Sequence, residues 1–128
     1  MKDGYSGVGI FATLAPAVVT ASTDGTAVDL QDFNSATLVI NTGAIAGAGL
    51  YDVKLQHSDT TTGGDFADVT AADLLGALPD DLAAASVYKQ GYKGSKRYVR
   101  AVITKQSGTS IAAGAVVVCG EPYDAPVA

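Results

Sequence analysis

The stretch YDVKLQHS, residues 51–58, alternates without a break. Tyr51, Val53, Leu55 and His57 fall on one side of an extended chain, and Asp52, Lys54, Gln56 and Ser58 on the other. A period of two belongs to a β-strand with one face buried. A helix would instead bring together residues three and four apart.

Working outward, the same reading recurs. ATLVINT (36–42) puts Leu38 and Ile40 on one face and Val39 on the other. VYKQGY (87–92), RYVRAVITK (97–105) and IAAGAVVVCGEP (111–122) also read as strands, with AVDL (27–30) and the Phe66–Val69 stretch as shorter ones. Between them lie turn signals: DGT (24–26), QDFNS (31–35), the small-residue loop GAIAGAGL (43–50), DTTTGGD (59–65), a tight KGSK (93–96) and QSGTS (106–110). Helix is confined to one or two short turns. Thr70 is placed to cap AADLLG, with Asp73 at its third position and Gly76 as its stop, and PDDLAAAS (79–86) is a second turn or a loop. Seven or eight strands at this spacing predict a single all-β, mainly antiparallel domain. It would be a β-sandwich, jelly-roll-like, or a small barrel. Pro16 breaks any helical period near the start, so residues 1–20 read as an extended N-terminal arm. The β domain then covers 21–122, and 123–128 form a loose tail.

The totals agree with one domain of 128 residues. Acids are almost all aspartate, twelve against the single Glu121, and aspartate favours turns and caps over helix interiors. Only 16% of residues are charged while 48% are hydrophobic, which predicts a surface partly covered by neighbours. The net charge of −5 opposes general affinity for nucleic acid. Cys119 has no partner for an intramolecular disulfide and reads as a small buried hydrophobe. No apolar run has the length of a membrane helix. Asp3 and Gly4 stand where a signal peptide needs bases, so the expectation is an intracellular product.

Six of the eight bases (Lys89, Lys93, Lys96, Arg97, Arg100 and Lys105) lie between residues 82 and 120, where there is no acid. With Tyr88, Tyr92 and Tyr98 they could form a stacking, phosphate-binding patch. The strand period argues otherwise, because it sends Arg97, Val99, Ala101 and Ile103 to one face and Tyr98, Arg100, Val102 and Thr104 to the other. A surface that meets protein, or its own copies, accounts better for the cluster. His57 beside Ser58 and Asp59 makes no triad, since neighbouring strand residues point apart. GGDF (63–66) is a fragment of a cyclic-dinucleotide synthase signature without the chain length that chemistry needs. Asp59, Asp65 and Asp68 lack the alternating spacing of a calcium loop, and turn duty accounts for them; a structural cation is the alternative. No enzyme activity, cofactor or metal is expected.

The order of an apolar N-terminal arm, AVDLQDFNSATLVINTGA, YDVKLQHSDTTTGGDFADV, DLLGAL, GYKGSKRYVRAVIT and AGAVVVCGEP resembles that of small tailed-bacteriophage head decoration or cement proteins. The resemblance covers about residues 20–122 and carries over no single functional residue. It implies a virion protein, made in the bacterial host cytoplasm, that binds the outer capsid surface and bridges subunits of the major capsid protein. Other copies of itself, as dimer or trimer, would be further partners, and no membrane would be involved. Phe11, Leu14, Tyr92, Lys93, Lys96, Arg97, Tyr98 and Arg100 are the candidate protein-interface residues. A head-to-tail or tail component, or a module that binds host-surface glycans, is the alternative.

Overall fold

The computed structural model describes residues 8–31 and 33–122, the last two by their backbone alone. The expected loose tail at 123–128 lies outside them. Among the described residues there are ten strands: β1 (Val8–Val19), β2 (Thr23–Asp24), β3 (Val28–Asp29), β4 (Phe33–Ala46), β5 (Leu50–Ser58), β6 (Ala67–Asp68), β7 (Leu74–Leu75), β8 (Val87–Tyr92), β9 (Tyr98–Ser107) and β10 (Ser110–Pro122). Two single turns of 3-10 helix, Gly63–Asp65 and Ala71–Asp73, are the only helical segments among them. Thr70 precedes the second turn but makes no side-chain cap to it.

The strands form two antiparallel sheets. The first runs in the order β1-β10-β4-β8-β7, and the second in the order β2-β9-β5-β6, with β3 also paired to β9. Their facing sides make one core, from Leu38, Ile40, Val117 and Cys119 on the first sheet and Tyr51, Val53, Leu55, Val99 and Ile103 on the second. The all-β sandwich expected from the alternation is what forms.

Three local expectations change. First, the supposed arm is extended, but its residues 8–19 are β1, paired with β10 from Val8↔Gly120 to Val19↔Ile111. It belongs to the first sheet, not to a separate segment. Pro16 is tolerated because β1 is an edge strand and its register shifts on either side of Leu14. Second, GAIAGAGL is not a loop throughout, since β4 continues to Ala46 and only the tight turn before Leu50 remains. Third, the tight turn at KGSK does not join two strands of one sheet. It carries the chain from β8 in the first sheet to β9 in the second.

One flank of the sandwich is fastened by polar groups. Thr13 on β1 accepts a hydrogen bond at Oγ1 from the Ala101 N–H (3.0 Å) and donates to the Thr26 carbonyl (2.8 Å). Gly25 N–H donates to the Ala101 carbonyl at 2.7 Å. A Cβ on Gly25 would lie 2.5 Å from that carbonyl oxygen, so this crossing admits only glycine.

Candidate functional site

The eight residues singled out in the sequence are not one surface. Leu14 and Tyr92 are 7% and 6% exposed and belong to the core. Phe11 lies at the outer edge of β1, its ring edge-on to Phe33 with centroids 6.0 Å apart. Lys93, Lys96 and Arg97 border a pocket of ≈ 600 Å³ at the β8–β9 crossing. Tyr98 and Arg100 belong to β9 in the second sheet.

Four of the bases are engaged within the chain. Arg97 donates from Nε and Nη2 to the two carboxylate oxygens of Asp29 (3.0 and 2.8 Å) and lies 5.1 Å from the Tyr98 ring centre. The guanidinium holds the Asp29 carboxyl below its ordinary value, helped by the Gln31 N–H, against a smaller opposing effect of burial. Lys96 pairs with Asp59 at 3.0 Å, and Lys54 with Asp68 at 3.1 Å. Arg100 donates twice to Gln56 Oε1 (3.0 and 2.8 Å), stacks 4.3 Å over Phe66 and comes within 3.7 Å of Asp24. Gln56 and Lys54 in turn hold the Asp68 carboxyl below its ordinary value.

His57 is a bound side chain. Its Nδ1 lies 2.8 Å from the Tyr92 hydroxyl, and the rings meet edge to face at 5.6 Å. The Lys96 N–H donates to the same hydroxyl at 3.1 Å. In the tautomer with hydrogen on Nε2, the hydroxyl donates to Nδ1, and burial holds its own proton more tightly than usual. Ser58 points away, its Oγ accepting from the Thr60 N–H at 3.0 Å. Among the described residues no three His, Cys, Asp or Glu side chains gather as a metal site. Asp65 accepts from Thr60 Oγ1 at 2.7 Å, in keeping with turn duty.

The surface that the sequence reading missed is the outer face of the first sheet. Between core positions, β4 presents Val39, β8 Val87 and β10 Ala112, Gly114, Val116 and Val118, while β1 adds Ile10, Ala12 and Val18. Val87 and Val18 are 69% and 67% exposed. All of these but Ile10 and Val118 line a shallow, mainly apolar groove of ≈ 670 Å³, to which Asn41 also contributes. Lys89 is the only charged side chain described on this face. The second sheet's outer face, with Lys54, Gln56, Asp68 and Arg100, is polar and internally paired. The signal was present in AAGAVVVCG, which is apolar throughout where a half-solvated strand would alternate.

No family model matches the chain, and no curated protein matches it. Among solved structures, the SPBc2 prophage-derived protein YomS has a similar fold: TM-score 0.56 and 13% identity, covering 89% of this chain and 93% of that one. A chain from the infectious bursal disease virus Gx strain matches with a TM-score of 0.39 and 14% identity over 91% of this chain and 32% of that one, too distant to carry an argument.

Proposed function

We propose that this chain is a structural virion protein that binds the outside of a phage capsid and stabilises the assembled shell by bridging subunits of the major capsid protein. The observation that carries the reading is the contrast between the sandwich's two outer faces: one apolar and nearly uncharged, the other polar with its charges paired. Exposed apolar surface of this kind marks a contact with another protein. A small side chain such as Ala112 permits close approach of a partner's backbone. The fold shared with a prophage-derived protein and the order of sequence motifs point the same way.

In this reading the chain performs no chemistry and needs no cofactor. It binds the assembled shell and not free subunits, so binding itself favours the shell. Shallow contacts repeated by symmetry hold through avidity, without high affinity at each one. The paired charges of the second sheet face solvent, and the protein works at the outer capsid surface after synthesis in the host cytoplasm.

The test is co-sedimentation with shells of the parent phage. Val87→Glu alters a side chain already 69% exposed, so folding is unaffected. The variant is expected to melt like wild type but to stay in the supernatant when wild type pellets with the shells. Equal co-sedimentation would remove this face from the account.

A further inference from the structure

Among the described residues each sheet has two edges, and three of the four are built from two-residue strands: β7 in the first sheet, and β6 and the β2/β3 pair in the second. The second-sheet edges also carry Asp24, Asp29 and Asp68. The fourth edge, β1, is twelve residues long, has no charged residue, and pairs on one side only among the described residues. Folded β proteins blunt their edges with charge, proline, bulges or shortness, because a long open edge recruits another strand.

The two halves of β1 differ. Around Thr13 to Ala17 the register against β10 shifts twice, Pro16 lacks an N–H, and the Thr13 carbonyl already accepts from the Thr26 N–H at 2.6 Å. That half is closed to a partner. Val8–Ala12 keeps step with Gly120–Val116 without a shift, and Ile10 and Phe11 are 62% and 40% exposed. We propose that the Val8–Ala12 edge pairs antiparallel with the same segment of a second copy of this chain, across a two-fold axis through Ile10, joining the two first sheets into one.

The segment is self-complementary in that register. Val8 falls opposite Ala12 of the second copy, Gly9 opposite its Phe11, and Ile10 opposite Ile10, so the bulky aromatic meets a residue with no side chain. On the Phe11 side, the ring already lies over Gly9 and against Phe33. The two Phe11 rings become diagonal cross-strand neighbours, a separation aromatic side chains span. On the other side, the Ile10 pair continues the apolar outer face from one copy to the next. Charge selects the same place. A chain of net charge −5 repels its own copies over much of its surface, whereas this contact opposes no like charges. The pairing does not depend on what the face of the sheet binds.

Sedimentation velocity of the full chain is expected to give a dimer. Ile10→Lys, which changes a side chain that points to solvent, is expected to give a monomer with unchanged melting temperature. Leu75→Lys, at the opposite edge of the same sheet and 56% exposed, is expected to leave the dimer intact. Ile10→Cys reads the register: mild oxidation should link two copies through the new thiol, because Cys119 is buried. If Ile10→Lys fails to fold, that cross-link decides, and its absence overturns the proposal. A monomeric or trimeric wild type, or a dimer that survives in a folded Ile10→Lys variant, overturns it as well.

Discussion

Thr13 and Ala101, 88 residues apart in sequence, are joined by a hydrogen bond of 3.0 Å from the Ala101 N–H to the Thr13 hydroxyl oxygen. The same hydroxyl donates to Thr26, and Thr13 is 2% exposed. One side chain thus ties β1 in the first sheet to β9 in the second. Thr13→Val keeps the shape but leaves a donor and an acceptor unmatched in a dry place, at a cost of about 2 kcal/mol. Urea unfolding should show that loss, with Thr13→Ser recovering most of it. A Val variant as stable as the Ser variant would mean that the tie contributes nothing.

The Tyr92 hydroxyl is the second tie, between β5, β8 and the 93–96 crossing. Tyr92→Phe preserves the buried ring but leaves His57 Nδ1 and the Lys96 N–H without their shared partner. The expected cost is ~1–2 kcal/mol. Its local signature is faster hydrogen exchange at the Lys96 amide than at strand amides of β9. Unchanged protection of that amide would contradict the assignment.

The Asp29–Arg97 pair gives stability a pH dependence of known sign. The folded-state value of Asp29 lies below its ordinary 3.8. Its contribution is therefore complete above that ordinary value and is lost as pH falls through the folded-state value. Both side chains are nearly half exposed, at 42% and 46%, so screening limits the pair to about 0.5–1 kcal/mol. Asp29→Asn should melt a few degrees below wild type near neutral pH, and the two should converge in acid. A gap that persists in acid would trace to packing instead.

Cys119 lies in the middle of the core at 0% exposure, and burial pushes its thiol up to about 11. The thiolate is the reactive form, so an aromatic disulfide reagent should leave the folded protein unlabelled at mildly alkaline pH and label one thiol after denaturation. Immediate labelling of the folded chain would place the residue elsewhere.

Strands with one solvated face were legible because alternation is a local property. YDVKLQHS, VYKQGY and the core positions of RYVRAVITK fell where the sequence put them, with ends shifted by a residue or two. The sheet to which each strand belongs was not legible. KGSK reads locally as a tight turn, and only long-range pairing sends β8 and β9 to different sheets. Residues 8–19 looked like a free arm for the same reason, since the partner that fixes them, β10, lies about a hundred residues on. The basic cluster was visible as composition, but the pairing of Arg97 with Asp29, Lys96 with Asp59 and Arg100 with Asp24 is a product of the fold. The apolar outer face hid in plain view, because in AAGAVVVCG the core residues and the outward ones are equally hydrophobic.

The capsid reading stands on attachment all over a shell, and copy number tests that most directly. Quantitative mass spectrometry of purified virions, counting this chain against the major capsid protein, should give a ratio near one or a simple fraction of it. A few copies per particle would move the protein to the neck or tail. Its absence from the particle would contradict a virion role altogether.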